Sequence, residues 1–346
     1  MKILQICGAQ KAGGAEAHFL RFCIELNKHE DMDVVAIVRK DSWLEEQLNK
    51  EDIKVYALGF RSSFDLITSL KILKISLKEK SDIIQCWMNR AATLTPKRAR
   101  GFKIGRLGGY YSLKNYKSMD WLVGATNDIC NHITQNGWHS DKLSCIPNFV
   151  NLPSPEEQKA SDNLKNELGL NDKTVLFTPA RLHSVKGLDT AIKALKLLPD
   201  QFCYLIVGNG PEEDTLKKLA NHLGVQDRVI FAGWQNDITP FCYISDIFLV
   251  PSRHEPFGSV LLEAWSHKKP LVTSDSQGAL AITEDNKTSL MFNKDNHYSL
   301  AEKVSILQSN ASLKSLIVEN GYNELISKYV ASSVLNTYTS LYKKSI

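Results

Sequence analysis

The stretch Ile247–His267, IFLVPSRHEPFGSVLLEAWSH, constrains the fold of this chain more than any other. Its opening residues Ile247-Phe248-Leu249-Val250 form an apolar, β-rich run of the kind a buried strand shows, and Pro251-Ser252 stop it in a loop. Beyond Pro256-Phe257-Gly258, the apolar Val260, Leu261, Ala264 and Trp265 recur at helical spacing, which predicts a helix beginning around Ser259. A loop at the carboxyl end of a parallel strand, leading into a helix N-terminus, is where open α/β sheets hold ligands. The first amides of that helix, at Gly258, Ser259 and Val260, lack intrahelical acceptors and suit an anion such as a nucleotide diphosphate. Glu255 before the helix and Glu263 inside it bracket this site. Carboxylates repel phosphate, so their expected partners are sugar or ribose hydroxyls.

The same order of strand, glycine-containing loop and helix recurs along the chain. Strands are expected at Lys2–Cys7, Asp33–Val38, Lys54–Leu58, Asp82–Trp87, Trp121–Ala125 and Lys142–Ile146. After a polar, Pro-containing run at Leu152–Asn163, a second series follows at Thr174–Pro179, Cys203–Val207, Val229–Phe231, Ile247–Val250 and Pro270–Ser274. With 346 residues the chain exceeds one ordinary core. Two doubly wound α/β domains are therefore expected, at residues 1–152 and 153–329, with a last helix over 330–346. The seven cysteines show no C-x-x-C pair and read as reduced, buried thiols, and no apolar run reaches membrane-spanning length. Met1–Gly8 is too soon interrupted for a signal peptide, and the expected compartment is cytoplasmic.

Charge is uneven. Residues 1–150 hold 22 Lys and Arg against 16 Asp and Glu, whereas residues 151–346 hold 20 against 22. A basic first half predicts an acidic partner there, an anionic membrane or phosphorylated glycolipid ahead of nucleic acid, or else an accidental surface imbalance. Its cations Arg106 and Lys114 interleave with Tyr110 and Tyr111, a mix that suits a phosphosugar or lipid headgroup and equally a packed core. Arg90 reads either as a binder of phosphate or sugar oxygens or as a surface cation at a helix start. In the second half, Arg181 and Lys186-Gly187 follow a strand directly and lie beside a helix start, where two cations neutralise a diphosphate. Gly13-Gly14-Ala15-Glu16 occupies the first strand-to-helix junction without matching G-x-G-x-x-G, which argues against a nicotinamide cofactor. Asp31-Met32-Asp33 precedes a strand and reads as a solvated turn, so no metal site is expected.

Together these motifs resemble the Glu-x7-Glu retaining glycosyltransferases of the GT-B fold (family 4, glycosyl transferases group 1), lipopolysaccharide-core glycosyltransferases among them. The match covers nearly the whole chain and is most specific over residues 175–265. Departures are Arg90 where many members have His, Phe149 in the Pro147-Asn148-Phe149-Val150 linker where they have Gly, Ala180 before Arg181, and Ala281 where many have Glu. The resemblance implies two Rossmann-like domains facing across a cleft and a retaining, metal-independent hexosyl transfer without cofactor. The donor it implies is a nucleotide-diphosphate sugar, UDP ranked ahead of GDP and ADP, and the acceptor a cell-surface glycan or glycolipid. It assigns Arg181, Lys186 and Glu255 to catalysis. Gly13, Gly14, Gly208, Gly233, Trp234, Arg253, Pro256, Phe257, Gly258, Ser259, Val260, Leu261 and Glu263 fall to the donor, and Glu16, Arg90, Arg106, Tyr110 and Lys114 to the acceptor side. The alternative is a non-catalytic partner of another glycosyltransferase.

Overall fold

The structure, a computed structural model, describes residues 1–154, 161 and 163–346. The described chain divides into two compact units, Met1–Val150 with Ala331–Ile346, and Asn151–Val330. Part of the linker read at Leu152–Asn163 lies outside the described residues, and a short helix, Leu164–Glu167, follows it.

The first unit alternates strand and helix: β1 (Lys2–Cys7), α1 (Gly14–Asn27), β2 (Asp33–Arg39), α2 (Trp43–Leu48), β3 (Lys54–Leu58), α3 (Leu66–Lys78), β4 (Ile83–Trp87), α4 (Met88–Leu94), β5 (Phe102–Leu107), β6 (Trp121–Gly124), α5 (Asn127–Gln135) and β7 (Leu143–Cys145). All its strand pairings are parallel, in the order β3-β2-β1-β4-β5-β6-β7. Parallel sheets are covered on both faces, and that is why most of these strands read as largely apolar runs. The order reverses between β1 and β4, so the loops leaving those two strands diverge and open a crevice at their carboxyl ends.

The second unit runs α6 (Leu164–Glu167), β8 (Thr174–Pro179), α7 (Leu188–Leu195), β9 (Phe202–Val207), α8 (Glu213–Leu223), β10 (Val229–Phe231), α9 (Thr239–Ile244), β11 (Ile247–Val250), α10 (Ser259–Ser266), β12 (Leu271–Ser274), α11 (Gln277–Ile282), β13 (Leu290–Phe292), α12 (His297–Ser309) and α13 (Ala311–Lys328). Its parallel sheet has the order β10-β9-β8-β11-β12-β13, with the reversal between β8 and β11. The loops holding Arg181 and Lys186, and Glu255 to Gly258, leave these two strands.

The last helix, α14 (Ala331–Lys344), belongs to the first unit, where Val334, Leu335, Tyr338, Leu341 and Tyr342 are buried. The Tyr342 hydroxyl donates to Gln85 Oε1 at 2.6 Å, and the Trp87 indole donates to Gln5 Oε1 at 2.7 Å.

Two strands are absent from the sequence reading, the short edge strand β13 and, more tellingly, β5. Arg106 reads as one of the interleaved cations of the basic first half, yet Phe102–Leu107 is β5, interior to the sheet. Lys103 and Arg106 disguise it. Lys103 pairs with Asp120 at 3.1 Å, and Arg106 is only 4% exposed, with its guanidinium carbon 4.5 Å from the centre of the Trp87 ring.

Candidate functional site

The expected donor residues of the second unit converge where β8, β9, β11 and β12 end. After β8 the chain makes a turn at Ser184–Lys186 whose start is capped by His183 Nδ1, accepting the Val185 N–H at 3.3 Å. Gly187 then takes a left-handed conformation with φ +62°, and a Cβ placed there would lie 2.0 Å from the Pro251 carbonyl oxygen. Only glycine lets the loop after β8 run in backbone contact with the loop after β11. The two loops are joined further by the Arg253 N–H, which donates to the Val185 carbonyl at 2.8 Å.

This contact brings Lys186 Nζ to 2.5 Å from Glu255 Oε2. Glu255 folds back toward the start of α10, because a Cβ on Gly258 would lie 3.1 Å from its Cγ. Gly258 caps α10 in the left-handed region with φ +86°, and no side chain closes that helix end. The helix therefore points its positive pole at the corner holding Lys186 and Glu255. The Gly278 N–H donates to the Glu255 carbonyl at 2.6 Å, which fixes the loop from the β12 side. Arg181 is exposed beside the Gly208 loop and makes no ion pair among the described residues. Pro256, Phe257, Ser259, Val260 and Leu261 build the rest of the α10 entry, and Glu263 is half-buried within the helix. At the β9 and β10 ends, the Gly208 N–H donates to the Gly233 carbonyl at 2.8 Å, and the Trp234 indole stands 47% exposed.

Arg253 ties the loops together: its guanidinium donates to Asp189 at 2.9 Å, to Asp295 at 2.5 Å and to the Ser184 carbonyl at 2.6 Å. Burial raises the Asp189 carboxyl, but the hydrogen bond and charge of Arg253 outweigh it and hold Asp189 below the usual carboxylate range. Asp189 and Asp295 are supporting residues that no local sequence signal marks.

In the first unit, Gly13 is the N-cap of α1, and Glu16 folds back on it, with Oε2 2.7 Å from where a Gly13 Cβ would stand. Burial raises the Glu16 carboxyl. Arg90 Nη1 donates to the Gly8 carbonyl at 3.2 Å, tying α4 to the loop after β1. Phe60 and Met88, which end the β3 and β4 crossings, have φ +44° and +63°, an uncommon conformation for such residues. The rest of the acceptor-side set does not gather there. Arg106 lies inside the sheet, where it donates to Asn148, and it is corrected from binder to core cation. Tyr110 donates to Asp128 of α5, whereas Lys114 is exposed in a turn at Leu113–Tyr116. Among the described residues no group of three or more His, Cys, Asp or Glu is placed to hold a metal ion.

A Lys–Glu pair beside an open helix N-terminus, at the switch point of a doubly wound sheet, is the place where open α/β sheets hold ligands. The sequence profile described as glycosyl transferases group 1 matches residues 160–324. The chain is 31% identical over 334 residues to the lipopolysaccharide core biosynthesis glycosyltransferase LpsE of Rhizobium meliloti (strain 1021), covering 96% of each chain. It is 27% identical over 349 residues to LpsD of the same strain, covering 100% of this chain and 99% of LpsD. Its fold superposes on Anabaena HepE in complex with UDP and glucose with a TM-score of 0.87 at 20% identity, over 99% of this chain and 100% of the other. A glycosyltransferase from Rickettsia africae matches equally, with a TM-score of 0.87 at 23% identity over 99% and 98% of the two chains. The chain belongs to the glycosyl transferases group 1 family and has the GT-B fold.

Proposed function

We propose that this chain is a retaining, metal-independent glycosyltransferase that moves a hexose-type sugar from a UDP-sugar to a lipopolysaccharide-type glycolipid at the cytoplasmic membrane face. The observation that carries the reading is the corner of the second unit where Lys186 and Glu255 meet at the open N-terminus of α10, with Arg181 exposed in the same loop as Lys186. The hard step of such a transfer is expulsion of a nucleoside diphosphate from an oxocarbenium-like centre. Arg181, Lys186 and the amides at Gly258–Val260 stabilise the charge that develops on the leaving phosphate. One well-placed donor of this kind is worth about 3 kcal/mol, or roughly 10²–10³ in rate.

The Lys186–Glu255 pair has a specific consequence for the free enzyme. Each group neutralises the other until the donor arrives; then the ammonium faces phosphate while the carboxylate accepts from sugar hydroxyls. Glu263 holds the ribose hydroxyls, and Trp234 offers an exposed ring beside the nucleobase. Front-face attack, with the leaving phosphate oxygen taking the acceptor proton, needs no enzymic nucleophile. The acceptor class follows the relatives named as lipopolysaccharide core glycosyltransferases.

Thermal melting with UDP, GDP, ADP and their sugars, with and without EDTA, tests this on wild type and Glu263→Ala. The expected result is stabilisation by UDP and one UDP-sugar, unaffected by EDTA and weakened in the variant. Stabilisation by none of them overturns the reading in favour of a non-catalytic partner of another transferase.

A further inference from the structure

Helix α3 carries a face that the first unit leaves uncovered. Its inward stripe is Thr68, Ile72, Ile75 and Ser76, all buried. Its outward side is not polar: Leu66 is 75% exposed, Ile67 63%, Leu70 58% and Leu77 54%, and Phe64 just before the helix is 89% exposed. Leu66, Leu70 and Leu77 fall on one stripe at helical spacing. Lys71, Lys74 and Lys78, all exposed, share the adjoining stripe, and the exposed Arg61 and Lys80 flank the helix at its two ends.

The carboxylates of this segment are withdrawn from that surface. Asp65 caps α3 by accepting the Thr68 N–H at 3.0 Å and also accepts the Arg61 N–H at 3.0 Å. Glu79 is buried, 2.8 Å from Lys54 Nζ and hydrogen-bonded by Tyr56. The outer surface of Arg61–Lys80 is thus a ridge of large apolar side chains edged by cations alone.

An apolar ridge of this size is costly in water, and lysines along its edge suit headgroup phosphates while their stems lie on hydrocarbon. With 13 residues the helix is too short to span a bilayer, but it has the form of a helix lying in the interface. We propose that this face of α3 docks on an anionic lipid bilayer, with Phe64, Leu66, Ile67, Leu70 and Leu77 at the acyl boundary and Lys71, Lys74 and Lys78 on the headgroups. The proposal deepens the glycolipid-acceptor reading, on which its purpose rests, but its physical basis is the α3 surface itself. It narrows the acidic partner expected of the basic first half to the outer surface of residues 61–80.

The experiment is co-sedimentation of the full chain with vesicles of phosphatidylethanolamine and phosphatidylglycerol in equal parts, and with phosphatidylcholine alone. Wild type is compared with Phe64→Ser/Leu70→Ser and with Lys71→Gln/Lys74→Gln/Lys78→Gln. All substituted side chains are exposed, so both variants are expected to melt as wild type does. Wild type binds the anionic vesicles and not the zwitterionic ones; each lysine removed weakens binding about fivefold, and the Ser pair abolishes it. Failure of wild type to bind anionic vesicles overturns the proposal, as does equal binding by either variant. A wild-type dimer on size exclusion that the Ser pair converts to monomer also overturns it, because a second copy then covers the ridge. Vesicle binding requires no donor. Absence of any nucleotide-induced melting shift alongside intact vesicle binding therefore counts against the transferase reading and not against the surface.

Discussion

His18, on the inner side of α1, packs edge-on against Trp87 and Phe149, with ring centroids 5.4 and 5.2 Å away. Neither of its ring nitrogens has a partner among the described residues. Burial holds the imidazole well below its ordinary value of 6.5, and the charges of Arg106 and Arg21 push the same way. The unfolded chain therefore takes up a proton below pH 6.5 that the folded chain refuses, so stability is lost as pH falls through that value. His18→Leu fills similar space without a buried unpaired polar group. It is expected to raise stability near pH 7 by about 1 kcal/mol and to flatten the decline below pH 6.5, which approaches about 1.4 kcal/mol per pH unit for one such proton. Urea unfolding from pH 7.5 to 5 checks both. The same cluster accounts for Phe149: its side chain is fully buried against His18 and Phe22, so the departure from glycine at this position fills core volume.

Elements and their loops repeat this distinction between what is local and what is not. Strands such as β1, β8 and β11 are legible because a largely apolar run of four to six residues closed by Gly or Pro has few other readings. β5 is not, because Lys103 and Arg106 break its run and find their compensation in Asp120, Asn148 and Trp87, which the local pattern does not reveal. Two glycines then separate support from ligand contact. Gly187→Ala combines a left-handed backbone, which disfavours Ala by about 1 kcal/mol, with a Cβ 2.0 Å from the Pro251 carbonyl. It is expected to destabilise the protein by roughly 2 kcal/mol or more and to weaken the nucleotide-induced melting shift. A Cβ on Gly14 meets nothing within 4 Å, so Gly14→Ala is expected to melt as wild type does. A loss of transfer rate in that variant then reports on substrate and not on folding.

At the scale of the whole molecule, the first unit is made from both ends of the chain. α14 delivers Val334, Leu335, Tyr338, Leu341 and Tyr342 to a core begun by Ile3 and Cys7. Removing one large buried aromatic costs about 3–5 kcal/mol, and losing two tyrosines with three aliphatic residues exceeds a typical total stability of about 5–15 kcal/mol. A chain ending at Tyr329 is expected to be insoluble. Tyr342→Phe is a milder probe that removes only the hydroxyl donating to Gln85 Oε1, and it is expected to cost about 1–3 kcal/mol by urea unfolding. A truncated chain that stays soluble and melts cooperatively at the wild-type temperature would show that α14 is dispensable.

By itself the sequence determined the alternation of buried strand, glycine loop and helix, the two doubly wound series, and the position of the turn before α10. Those features follow from local periodicity and from backbone groups that neighbouring residues leave unpaired. Only the tertiary structure decided which charges meet. Lys186 and Glu255 are 69 residues apart, and Arg253 and Asp189 are 64 apart. It also decided that Arg106 is a core cation and that the apolar ridge of α3 stays exposed among the described residues. Periodicity states which face of an element is buried, whereas a charge takes its partner from whichever loop the packing brings within a few ångströms.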